Sequence, residues 1–105
     1  MTSRSKSKGS RFELFLSREL TANGIPSEKV PLSGSLGGRF SSDVVIGTCE
    51  HPLGRIECKN RESLSKTLWE WLKGVDYLAL KRNNYEPLIV MTLDEFIKLK
   101  KAEYE

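Results

Sequence analysis

Three observations point to a single α/β domain with a mixed β-sheet flanked by helices. Helical and extended apolar patterns alternate along the chain in the order αβββαββα. At 105 residues the chain can bury about two thirds of the surface its unfolded form exposes, enough for one core. A composition 38% hydrophobic and 30% charged belongs to a folded globular protein, not to a disordered or fibrous one. No internal repeat or interdomain linker is visible. The longest apolar run is a few residues, too short for a membrane-spanning helix. No apolar segment follows the first basic residues, so no secretory signal is expected. Cys49 and Cys58 offer no disulfide framework, which favours a reducing, cytoplasmic setting.

The first helix is expected from Ser10, where Phe12, Phe15, Leu16 and Leu20 recur on one face. Ser10 suits the N-cap, and Asn23-Gly24 suits a stop in the left-handed region. Val30 to Leu32, bracketed by Pro26 and Pro31, reads as a short edge strand. Ser33 to Ser42 holds three glycines and four serines, so it reads as a loop. Asp43 to Ile46 and Arg55 to Lys59 read as strands joined in a hairpin by the turn residues 50–54. A second helix is expected over Ser63 to Lys73, with Leu64, Leu68, Trp71 and Leu72 facing inward. Trp69 lies off that stripe, and is either an exposed interface residue or covered by a second layer. Tyr77 to Leu80 and Leu88 to Met91 are continuous apolar runs, as in strands covered on both faces. Asn83-Asn84 turns the chain between them. Thr92 caps the last helix, with Glu95 reaching back and Lys98, Lys100 and Lys101 at its end.

The charge is unevenly placed. Arg4, Lys6, Lys8 and Arg11 precede the first acid, Glu13, and removing them from 17 basic residues leaves 13 against 14 acidic ones. Residues 1–9 therefore form a basic arm, expected to be flexible, ahead of a near-neutral domain at 10–105. Such an arm is either a solvated tail or a contact for phosphates.

The chemistry concentrates on the hairpin. Glu57 and Lys59 are two apart on one strand and so project from one face, while Cys58 points to the buried side. With the turn centred near His51, Asp43 faces Lys59, and Glu57 is its diagonal neighbour at roughly 7–8 Å. Two carboxylates so placed can share one divalent cation, and a lysine beside them can orient or activate a water. Plainer readings exist: Glu-x-Lys is common on strands, Asp43 can cap a turn, and Glu13 can complete a capping box with Ser10. His51 reads as a surface residue. With its single histidine unplaced the chain gives no serine triad, and one His with two Cys gives no zinc spacing.

Taken together, Lys8-Gly9-Ser10 with Glu13, Ser33-Gly34-Ser35, Ser42-Asp43-Val44-Val45 and Ile56-Glu57-Cys58-Lys59 resemble the PD-(D/E)xK nuclease superfamily. Within it the chain resembles archaeal-type Holliday junction resolvases, and Trp71 to Met91 is also similar to small phage and bacterial nucleases of this type. The family's proline is replaced here by Ser42. The resemblance implies a restriction-endonuclease-like fold and Mg²⁺-dependent phosphodiester hydrolysis, with Mn²⁺ as a substitute ion. Asp43, Glu57 and the backbone carbonyl of Cys58 would hold the metal, Glu13 would assist through a water, and Lys59 would position the nucleophile. The hard oxygen ligands suit Mg²⁺.

DNA is the expected partner, in a branched or four-way form, met through its backbone by Arg4, Lys6, Lys8, Arg11, Ser35, Arg39 and Arg61. A homodimer follows from the resemblance, since two symmetric nicks need two sites. Two alternatives stand beside junction resolution. One is a nuclease of the same fold with a nicking, repair or restriction-like substrate. The other is an idle DNA-binding domain, disfavoured because it would have no reason to gather buried like charges.

Overall fold

The computed structural model of the chain describes residues 2–31 and 42–105, and of residues 2–9 the backbone alone. Helix α1 runs from Thr2 to Ala22, so it starts eight residues before the expected Ser10 cap. Ser10 is thus interior to a helix and caps nothing, and the proposed capping box with Glu13 does not form. Nor does the boundary at residue 9 coincide with a break in secondary structure. At the other end the stop is as expected. Gly24 sits at φ 83°, its amide donates to Thr21 O at 3.0 Å, and the Ile25 amide donates to Leu20 O at 3.0 Å. That pair of bonds closes the orphan carbonyls of the last turn and drives Ile25 into the core.

Three antiparallel strands follow: β1 (Ser27–Lys29), β2 (Val44–Gly47) and β3 (Pro52–Ile56), in the order β1-β2-β3. β1 lies three residues earlier than expected yet is an edge strand, as its flanking prolines require. β3 also begins three residues early, and Glu57 to Lys59 fall just beyond it rather than within it. Its register with β2 pairs Val44 with Ile56, Val45 with Arg55 and Ile46 with Gly54. The ladder slips between Ile46 and Gly47, where φ is 95° and an added Cβ would lie 2.8 Å from the His51 carbonyl. Only glycine suits that bulge. His51 is exposed in the turn beside it, its amide donating to Thr48 Oγ1 at 3.0 Å.

The core gathers Leu16 and Leu20 of α1, Ile25, Val44 and Ile46 of β2, and Ile97 of the last helix, with Ile56, Cys58 and Phe96 packed against it. Phe15, expected on the inward stripe, is exposed instead. The last helix, α3 (Leu93–Lys101), is capped by Thr92, whose Oγ1 accepts from the Glu95 amide at 3.3 Å. The Glu95 carboxylate turns to Lys98 at 3.3 Å rather than back to the cap.

The remaining elements depart from expectation. Helix α2 is six residues, Thr67–Leu72, and buries none of them. Of the four residues expected inward, Leu68 and Leu72 are half-buried while Leu64 and Trp71 are exposed, as is Trp69, which lies off the stripe. β4 (Leu78–Leu80) and β5 (Leu88–Val90) pair antiparallel as a separate two-stranded sheet. Among the described residues there is therefore no single mixed sheet, but two antiparallel ones. The apolar run of β5 is not covered on both faces: Leu88 and Ile89 are each 61% exposed. The architecture is a small mixed α/β one. No described helix is long and apolar enough to cross a membrane.

Candidate active site

Asp43 occupies the residue before β2 and is 8% exposed. The backbone there is stitched on both sides: the Val30 amide donates to Asp43 O at 2.9 Å, and the Asp43 amide donates to Ile56 O at 3.0 Å. The β2–β3 register ends with Val44 opposite Ile56; continued by one step it would set Asp43 opposite Glu57. The partner expected opposite Asp43 was Lys59, so the register is shifted by two. Because β3 ends at Ile56, the pleat no longer dictates where residues 57–59 point. Asp43 takes over that task, since its Oδ2 accepts the Cys58 amide at 2.7 Å. This short, charge-assisted bond ties the Glu57-Cys58-Lys59 segment to the start of β2.

Glu57 and Lys59 form an ion pair at 3.0 Å with side chains 53% and 58% exposed. A pair so open to water contributes little to stability. The expectation of gathered, buried like charges holds for Asp43 but not for Glu57. Glu13, projecting from α1, is the second enclosed acid, at 12% exposure. Its Oε1 lies 3.6 Å from Lys29 Nζ on β1. Lys29 was not anticipated from the sequence. The signal lay in the pairing: once β1 pairs with β2, Lys29 stands opposite Val44, beside Asp43.

The three acids converge electrostatically on Cys58. Burial, then the charges of Asp43, Glu13 and Glu57 in that order, push its thiol up to about 11. Each effect disfavours the thiolate, in keeping with a thiol packed against the core. Convergence stops short of a cage. Among the described residues, no three His, Cys, Asp or Glu side chains form a group that could hold a metal ion. Mg²⁺, however, is commonly held by one or two carboxylates with water and substrate phosphate completing its shell. The hard oxygens of Asp43 and Glu57 fit that requirement by their chemistry.

The remaining residues expected at the site divide. Arg11 and Arg61 are exposed, and Arg61 Nη1 lies 3.5 Å from the neighbouring Asn60 carbonyl. Arg4, Lys6 and Lys8 lie on α1, but their side chains are outside the described residues, as are Ser35 and Arg39 entirely. Ser42 is buried, and its hydroxyl has no hydrogen-bond partner among the described residues. A cavity of about 610 Å³ between α1 and β1 is lined by Leu14, Arg18, Lys29 and Cys49, and not by Asp43, Glu57 or Lys59. That cavity is separate from the locus at the start of β2, where Asp43 meets the 57–59 segment. Compared with protein-family models, with curated proteins and with solved structures, the chain matched none.

Proposed function

We propose that the chain is a Mg²⁺-dependent DNA endonuclease of the PD-(D/E)xK type, acting as a homodimer on branched DNA and resolving four-way junctions. The observation that carries this reading is the Asp43–Cys58 bond. It ties Asp43 to the segment that carries Glu57 and Lys59, and these are three of the residues on which the resemblance rests. Asp43, Glu57 and the Cys58 carbonyl would hold the ion, and Glu13 would act on it through a water. When bound, Mg²⁺ supplies Lewis-acid polarisation of the scissile phosphate and offsets charge on the attacking and leaving oxygens. Lys59, on an exposed stem, is free to leave Glu57 for the attacking water or the phosphate. Asp43 sets the position of that segment from a nearly dry start of β2. Exposed Arg11 and Arg61 meet the DNA backbone, which suits recognition by shape rather than by base.

The test is to incubate the protein with four-way junction, flap, nicked and linear duplex DNA, each with Mg²⁺ and with EDTA. Paired symmetric cuts confined to the junction, abolished by EDTA, support the reading. Metal-dependent cutting of the other substrates instead would move the chain to a nicking, repair or restriction-like nuclease. Failure to cut any of them with Mg²⁺ or Mn²⁺ would leave an idle DNA-binding domain and overturn the enzyme.

A further inference from the structure

We infer that the tip of the β4–β5 hairpin is a stacking site for an unpaired nucleotide of single-stranded DNA, the base laid on Tyr85 and its phosphate met by Lys81 and Arg82. This rests on the reading that DNA is the partner, and it adds a contact separate from the acidic locus. The Arg82 guanidinium carbon lies 5.0 Å from the centroid of the Tyr85 ring. The ring is nonetheless 61% exposed, so a cation caps part of it and water meets the rest. A tyrosine left in this state is a ready surface for a planar, electron-rich base, as aromatic platforms in single-strand-binding proteins are.

The turn fixes the backbone that carries the ring. The Tyr85 amide donates to Arg82 O at 3.0 Å, closing a tight turn. Asn84 within it has φ 67°, a left-handed conformation that costs energy in any residue but glycine, and least in asparagine. Lys81, Arg82, Asn84, Tyr85 and Glu86 border a hollow of about 690 Å³, ample for a nucleotide. Lys81 and Arg82 outweigh Glu86, so the hollow is net positive and complementary to a phosphodiester. The side-chain amide of Asn84 adds donors and an acceptor within reach of a base edge. Duplex DNA hides its base faces, so the site discriminates in favour of unpaired strands.

The measurement is fluorescence anisotropy of a labelled oligothymidylate, with the matching duplex as comparison, against the full chain in EDTA. Wild-type protein is expected to prefer the single strand. Tyr85→Ala should weaken that binding by about fivefold to a hundredfold, while Tyr85→Phe, which keeps the ring, should bind as wild type. Arg82→Gln should weaken binding and make it less salt-dependent by about one ion. Asp43→Asn should leave this binding intact while stopping junction cleavage, so a failure here is distinguishable from a failure of the nuclease reading. Wild-type protein that ignores the single strand would overturn the inference. So would Tyr85→Ala binding normally, even with a lowered melting temperature, since Tyr85 then only braces its turn. Equal losses in Tyr85→Ala and Tyr85→Phe would assign the hydroxyl rather than the ring, and would overturn stacking as well.

Discussion

The two sheets of this molecule are built from similarly apolar sequence and end in opposite states. Val44, Val45 and Ile46 of β2 are buried between β1 and β3, and Val44 and Ile46 pack with α1 and α3. Leu88 and Ile89 of β5 are mostly in water, and α2, which precedes that sheet in the chain, buries no residue. Apolar character therefore sets what a strand can bury, while the number of partners around it sets what it does bury. The acidic locus grows from the well-packed sheet, where a dry carboxylate is held by rigid backbone. The proposed nucleotide site sits at the tip of the open hairpin, where exposed rings are free to be touched.

The comparison can be broken by mutation. Leu20→Ala, which empties part of the first core, should cost about 2–5 kcal/mol in chemical denaturation. Leu88→Ala on the open sheet should stay within about 0.5 kcal/mol. Similar losses at both positions would mean that the second sheet is packed after all. Asp43→Ala should cost about 1–3 kcal/mol, because the Cys58 amide loses its acceptor. Asp43→Asn should cost less, since its carbonyl oxygen can still accept.

Cys58 offers a kinetic readout of the same locus. In a Cys49→Ser background at pH 8, alkylation of Cys58 should be at least about tenfold slower in the folded chain than in urea. The sign follows from the raised thiol: folding favours its neutral form, so that contribution is complete below pH 9 and is lost as pH rises through about 11. A rate equal in the folded and unfolded chain would show that neither burial nor the carboxylates act on it. Thr92→Ala should cost about 1 kcal/mol through the lost cap of α3. Smallest of all, Glu57→Gln should shift stability by less than about 0.5 kcal/mol, since its pair with Lys59 is exposed. A large activity loss in that variant, with stability unchanged, would mark Glu57 as functional rather than structural.

Local signals were legible where their physics is local. Among the described residues helices and strands alternate in the expected sequence, though in two antiparallel sheets rather than one mixed one, while Thr92 caps α3 and Asn23-Gly24 closes α1 through bonds made within a few residues. Errors came where a partner surface decides. Periodicity shows that Leu64, Leu68, Trp71 and Leu72 share a face, but nothing in it says whether another element covers that face. The capping box failed because Ser10 to Glu13 reads the same inside a long helix as at the start of one. That Asp43 lies near the Glu57-Cys58-Lys59 segment was legible from the hairpin spacing. The Cys58 amide bond and the Glu13–Lys29 pair were not, since both depend on where strands end and how they are ordered.

The most direct measurement is Mg²⁺ and Mn²⁺ binding by titration calorimetry to the wild-type chain, to Asp43→Asn and to Glu57→Gln. Wild-type protein should show a saturable event that Asp43→Asn abolishes and Glu57→Gln weakens, with the fold intact in both by circular dichroism. Cation binding unchanged in Asp43→Asn, or absent from the wild-type chain even with DNA present, would contradict a metal site at the start of β2.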